Sequence, residues 1–313
     1  MRGGGGAKSL DAIKKLDVAS HLYGDLGHIR KAVRCCRNGL FRLWIRDFFK
    51  NHTAADNERL PLIKHLGLLK RHNRHFIRSN RCFFKAIEIC NRLGREEELP
   101  LLFNELGRNY EHQNNFSEAL KYYEMGLEIC ERVNDIKNRL SLMSNIANIQ
   151  AYAYRKFDYA ISVYKDVLEV ANETNNLPGR AFAKHNIATT LFMKGERENA
   201  VELSKDAVKE AKSIGDFYLI TLFMTRLGEL YIHMKDFNQA IEVLTQVRTI
   251  YSELCSDLGE AETCEHLAAI QLTLGNRNKG LSLLREALEL YTQCGNARRA
   301  NGIRGRIADI ELM

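Results

Sequence analysis

Small residues recur along the chain beside an aliphatic one at a nearly constant interval. The pairs Leu106-Gly107, Ile146-Ala147, Ile187-Ala188, Leu227-Gly228, Leu267-Ala268 and Ile307-Ala308 put a small side chain at 107, 147, 188, 228, 268 and 308, with spacings of 40, 41, 40, 40 and 40. Twelve or thirteen positions after the first five of these comes a second small residue, at Ala119, Ala160, Ala200, Ala240 and Gly280, each followed by an aliphatic one. Two such points per period predict two helices whose backbones approach closely, in units too small to bury an apolar face alone. Leu66-Gly67 extends the period backwards convincingly. Leu26-Gly27 extends it again, with Gly39-Leu40 in the second slot, but Asp47 then falls on an apolar position. That first unit reads as degenerate, either a cap or a coincidence of register.

Breaker-rich stretches separate the units: Leu93-Gly94-Arg95, Val133-Asn134-Asp135, Asn175 to Gly179, Ile214-Gly215-Asp216, Cys255-Ser256-Asp257 and Cys294-Gly295-Asn296. Glycine or asparagine there supplies a left-handed helix stop, and Asp or Asn the next N-cap. The three prolines, Pro61, Pro100 and Pro178, fall at or near the expected starts of first helices, where a missing N–H costs little. So few prolines in 313 residues also argue against a chain of many short strands and turns.

The residues resemble the tetratricopeptide repeat. That family's pattern of Leu, Gly and an aromatic on helix A, then Ala, an aromatic and a small residue on helix B, is met by Leu106, Gly107, Tyr110, Ala119, Tyr123 and Gly126. The unit around Gly228 supplies Leu227, Gly228, Tyr231, Ala240 and Leu244. A period of 40 is similar to the longer repeats of Pins/LGN-type polarity adaptors, rapsyn and bacterial peptide-sensing regulators. The resemblance implies an all-α, TPR-like right-handed superhelical solenoid of antiparallel helix pairs. Its expected organisation is a flexible Gly-rich segment over 1–14, a basic degenerate repeat or cap over 15–59, repeats over 60–95, 96–135, 136–176, 177–216, 217–256 and 257–296, and a capping helix over 297–313.

In such a scaffold the helix A surfaces line a concave groove where partner segments lie, and mechanism is differential binding. Counting from the small residue of helix A, positions −3, +1, +4 and +5 face that groove. The groove candidates are Asn104, Arg108, Glu111, Asn148, Tyr152, His185, Thr189 and Glu229, with Asn145 and Arg226 at its edge. The same rule selects His112, Thr225 and His233. The chaperone-tail carboxylate clamp is not matched, because no unit pairs Lys with Asn at −3 and +1. Asn145-Ile146-Ala147-Asn148 is similar to the paired amides of the Pins/LGN type, which grip a peptide backbone; the alternative is solvated or helix-bridging amides.

Charge divides the chain. Residues 1–95 hold 21 Lys and Arg against 7 Asp and Glu, a net of +14; residues 96–313 hold 25 against 32, a net of −7. The basic third offers Lys64, Lys70, Arg71, Arg74, Arg78 and Arg81, of which the last four recur at near-helical spacing. They form either a phosphate-contacting stripe, a dock for an acidic protein, or a solvated face. In the same third, Leu40, Leu43, Trp44 and Phe48 are expected inward with the arginines in water.

Enzymatic signatures are missing: the sequence has no G-x-x-x-x-G-K-[ST], H-E-x-x-H or G-x-S-x-G pattern. The eight cysteines form no C-x-x-C pair and read as core thiols, with vicinal Cys35-Cys36 as the redox or metal alternative. No cofactor or metal is expected. The start MRGGGGAKSL lacks an apolar stretch, and no window approaches the length of a membrane span. The expectation is a non-catalytic intracellular adaptor, cytoplasmic or else nuclear, holding partner peptide segments in its groove. The alternative is a nucleic-acid or chromatin-associated factor acting through residues 1–95.

Overall fold

The structure, a computed structural model, describes Leu16, residues 29–47 and residues 53–312. Among the described residues there is no strand. From residue 29 on, the described residues form these helices in order: α1 Ile29–Asp47, α2 Thr53–His72, α3 Phe76–Leu93, α4 Leu99–Glu111, α5 Phe116–Val133, α6 Ile136–Tyr152, α7 Phe157–Glu173, α8 Leu177–Lys194, α9 Arg197–Ile214, α10 Phe217–His233, α11 Phe237–Glu253, α12 Asp257–Thr273, α13 Arg277–Gln293 and α14 Ala297–Leu312. A 3-10 turn, Glu96–Glu98, leads into α4. The chain forms two compact units, Met1–Tyr154 and Arg155–Met313, and within each a helix packs chiefly on the one before and the one after it. This is the all-α, TPR-like helical class that the period implies.

The small residues do what their spacing requires. In the first unit Gly67 lies against Phe83 and Gly107 against Tyr123; in the second, Gly228 lies against Leu244. Each pair is sixteen residues apart and joins helix A to helix B of one repeat. A β-carbon at Gly67 would stand 2.7 Å from the Phe83 ring, closer than packed atoms tolerate. Ala119, Ala160, Ala200 and Ala240 are fully buried on the B helices.

Turn chemistry follows the sequence as well. Asn115, Asp135, Asn176, Asp216 and Asp236 each accept a backbone N–H of the first turn of the following helix. Gly94, Asn134, Gly195 and Gly215 stop helices in the left-handed conformation. One expectation fails. Pro61 lies well inside α2, which begins at Thr53, so the helix forgoes one backbone bond there instead of starting at the proline.

Helix α1 packs on α2 through Ala32, Cys36 and Leu40 against Leu62, Leu66 and Leu69, and Gly39 touches Leu62. The second slot of the degenerate unit is therefore a packed contact. Leu26-Gly27, the segment 1–14, Phe48 and the side chains of Leu43 and Trp44 lie outside the described residues. Cys36, Cys90, Cys130 and Cys264 are buried, Cys35 and Cys82 half-buried, and Cys255 and Cys294 exposed.

The far face of α14 differs from its counterparts. Forty residues earlier, α12 buries Ala261, Cys264, Ala268 and Gln271 against α13. The equivalent positions on α14 are Asn301, Arg304, Ala308 and Glu311, all exposed. Ala300, Ile303 and Ile307, one position back, pack towards α13. One helix thus carries an apolar face inward and a polar face outward.

Candidate functional site

In the first unit the A helices are α2, α4 and α6, and several of their groove-side groups are spent on one another. Asn145 donates its amide to the Asn104 carbonyl oxygen at 2.7 Å, and Asn104 reaches Ser141 Oγ at 3.4 Å. Asn104 is buried. The bond ties α4 to α6, so Asn145 is a helix-bridging amide, the alternative to the paired peptide grip. Glu111 accepts the Tyr123 hydroxyl at 2.7 Å, which locks a buried ring of helix B to its own helix A. Arg108 is exposed, 3.6 Å from Glu105. Asn148 is half-buried and Tyr152 exposed on the last two turns of α6.

The basic candidates divide in three. Arg71 is paired with Glu105, both largely shielded from water, and Lys64 donates to Glu98 at 2.8 Å. These two link α2 to the next repeat and are not open to a phosphate. Burial pulls the Arg71 guanidinium below its ordinary pKa, with Glu105 opposing. Lys70 is half-buried in the last turn of α2. Arg74, Arg78 and Arg81 are exposed. The helical spacing of 71, 74, 78 and 81 does not make one stripe, because α2 ends at His72, Arg74 turns the chain at φ 58°, and α3 begins at Phe76.

In the second unit the A helices are α8, α10, α12 and α14. His185 stacks on Phe223, ring centroids 4.7 Å apart, and burial with Arg226 nearby lowers its pKa to about 4. It is neutral at pH 7 and serves as a packed ring. Thr189 returns its hydroxyl to the His185 carbonyl at 2.9 Å. His233 sits beside Phe192 at 5.6 Å.

Between α10, α12 and α14 the helices leave a cleft of about 500 Å³. It brings together Thr225, Arg226 and Glu229 with Tyr218 and Leu222 on α10, Glu262, Glu265 and His266 on α12, and Arg299 and Arg306 on α14; Gly259 and Ala269 keep it open. Arg226 bonds Glu229 at 2.7 Å, and His266 lies 3.8 Å from the same carboxylate. Glu265 accepts the Tyr291 hydroxyl at 2.5 Å and faces Arg306 at 3.1 Å and Arg299 at 3.7 Å. Tyr218 is 70% exposed. Charges of both signs over an apolar wall suit hydrogen bonding to a peptide. Among the described residues no group of three or more His, Cys, Asp or Glu is placed to hold a metal ion.

Two family models described as tetratricopeptide repeat match the chain, over residues 218–293 and 102–137. Over these two stretches the chain carries tetratricopeptide repeats. The first stretch includes most of the cleft. Among curated proteins, the heat shock protein STI1 of Saccharomyces cerevisiae is 30% identical over 116 residues, which cover 36% of this chain and 18% of that protein. The 43 kDa receptor-associated protein of the synapse of Tetronarce californica is 22% identical over 223 residues, 68% of this chain and 54% of that one. The chain thus spans about half, or less, of the length of these relatives. Among solved structures, a Rap protein complexed with competence and sporulation factor aligns over 97% of both chains at 15% identity and TM-score 0.59. NprR in complex with its cognate peptide NprX aligns over 93% of this chain and 88% of its own, at 14% identity and TM-score 0.59. At these identities the likeness is one of fold.

Sequence reasoning missed Glu262, Glu265, His266, Arg299 and Arg306 as cleft residues. The signal was present: Glu265 is at −3 from Ala268, and His266 and Arg306 are at −2 from Ala268 and Ala308, the register that selects Asn104 and Arg226 in other units. Arg299, a further two turns towards the N-terminus of α14, follows no such rule. No helix of the described residues is long and apolar enough to cross a membrane.

Proposed function

We propose that the chain is a non-catalytic interaction scaffold that holds a peptide segment of a partner protein on its A-helix surfaces, with the α10–α12–α14 cleft as the principal seat. The cleft itself carries this reading: three successive A helices leave about 500 Å³ lined by Arg, Glu and His over the Tyr218 and Leu222 wall. Ligand sites have this character, concave and pre-formed with a few convergent polar groups. Two proteins of similar fold support it, one complexed with a factor and one with its cognate peptide. Binding would need no covalent step; affinity would come from burying an apolar side chain against Tyr218 and from charge-assisted bonds to Arg226, Arg299 and Arg306.

A displayed random-peptide library panned on the full chain tests this. Peptides recovered should bind at least tenfold more weakly to Tyr218→Ala and Arg299→Ala, while the melting temperature stays within about 1 °C because both side chains are largely exposed. Recovered peptides indifferent to both substitutions would place the binding seat elsewhere and end the proposal.

A further inference from the structure

The outer faces of the B helices offer an internal control. On α3 the outward positions are 77, 78, 81, 84, 85 and 88, and the period of 40 or 41 gives their counterparts on α5, α7, α9, α11 and α13. Those counterparts are mostly polar, as a face in water should be. On α5, for example, Ser117, Lys121, Glu124 and Glu128 stand in this register, and on α9 Glu198, Glu202, Lys205 and Asp206 do. Their net formal charge is zero or negative on every one of these helices.

Helix α3 breaks the rule in two ways at once. Ile77 and Phe84 are 67% and 38% exposed, one heptad apart and so on one side of the helix, about 10.5 Å apart along its axis. Arg78, Arg81 and Lys85 flank them, exposed, with Glu88 the only acid among the six positions. The ridge is held rather than floppy: the Phe84 ring meets Tyr122 of α5 edge-on at 6.0 Å, and Met125, one turn along α5, is also exposed. Lys121 lies 6.0 Å from the Tyr122 ring centre and adds another cation.

We infer that the outer face of α3 and the adjoining edge of α5 form a second docking surface, for an acidic amphipathic helix of a partner protein. The apolar ridge decides between classes of partner. Phosphate backbones are bound by cations and need no aliphatic ridge, and Phe84 is already engaged edge-on by Tyr122, which leaves it poorly placed to stack on a base. A helix with apolar residues at i, i+3 or i+4, and i+7 covers Ile77 and Phe84, and Asp or Glu on its flanks meets Arg78, Arg81 and Lys85. Large exposed apolar groups rimmed by polar residues mark such sites.

The test uses the full chain and a library of random 16-residue peptides displayed on phage, with one enriched sequence then synthesised and labelled. The surface predicts enrichment of Asp and Glu around apolar residues at helical spacing. The labelled peptide should lose at least tenfold in affinity with Arg78→Glu and, separately, with Ile77→Ser, the residue that α5 carries there. Affinity should fall at least fivefold from 50 to 300 mM salt. The cleft variants Tyr218→Ala and Arg299→Ala should leave it unchanged, and because positions 77 and 78 are exposed, thermal melting should be unaltered. Enriched peptides without acidic residues, or sensitive only to the cleft variants, would overturn the inference. So would a labelled 20-nucleotide single-stranded DNA that binds as tightly and is lost with Arg78→Glu, which would assign the face to nucleic acid. A dimer of the chain itself, abolished by Ile77→Ser in sedimentation, would assign it to a second copy.

Discussion

At the residue scale, one substitution carries opposite signs at two glycines. A β-carbon at Gly107 would collide with the Tyr123 ring, which is fully buried and fixed by its bond to Glu111. Gly107→Ala should cost about 1–3 kcal/mol by overpacking, more than the ~1 kcal/mol of helix propensity it gains. At Gly302 nothing lies within 4 Å of such an atom, and Gly302→Ala should stabilise by about 0.5–1 kcal/mol. Urea unfolding of the two variants reads both signs. His185 gives a pH dependence. Its folded pKa of about 4 lies below the ordinary value near 6.5, so the neutral form is the one that folding favours. Its contribution is complete above about pH 6.5 and is lost as pH falls towards 4, by up to about 3 kcal/mol. His185→Gln should flatten the stability profile across that window while leaving the alkaline side unchanged.

At the element scale, what was legible in the sequence was whatever a single helix or its turn decides. The 40-residue period placed the helix pairs because a small residue is required wherever two backbones meet, and Asn134 or Gly94 announced a left-handed stop because few other residues tolerate one. Arg74 takes the same conformation with φ of 58° and gives no such notice. Arg71, Arg74, Arg78 and Arg81 form no single stripe for that reason, since their spacing runs through an unmarked turn. Partnerships between helices were equally hidden. Asp56 and Arg92 form an ion pair, and Glu96 and Arg132 repeat it 40 residues on, yet neither residue pattern says which acid faces which base. Arg71 and Glu105 are the shielded case. Arg71→Met should destabilise by about 1–3 kcal/mol because it leaves the buried Glu105 carboxylate only the more distant, exposed Arg108, and adding Glu105→Met should recover most of the loss. A double-mutant cycle by thermal melting measures that coupling.

At the scale of the whole molecule, stability in a repeat array is shared between neighbours rather than held in one core. Leu244→Ala, at a fully buried contact with Gly228, should therefore speed amide hydrogen exchange in α10, α11 and α12 while α2 to α5 keep their protection. Uniform acceleration over all helices would mean that the chain unfolds as one body. The charge division has also changed meaning. The +14 of residues 1–95 is consumed in part by Glu98 and Glu105, which lie outside that stretch, and what remains exposed on α3 is a compact patch beside an apolar ridge. The polar face of α14 bears on assembly. Had Asn301 and Arg304 kept the Ala and Cys of their counterparts, Ala261 and Cys264, α14 would present a bare stacking surface to other molecules. Contacts of that head-to-tail kind need not close on themselves and can grow into filaments. Asn301→Ala with Arg304→Leu should accordingly make the light scattering of this chain rise with protein concentration.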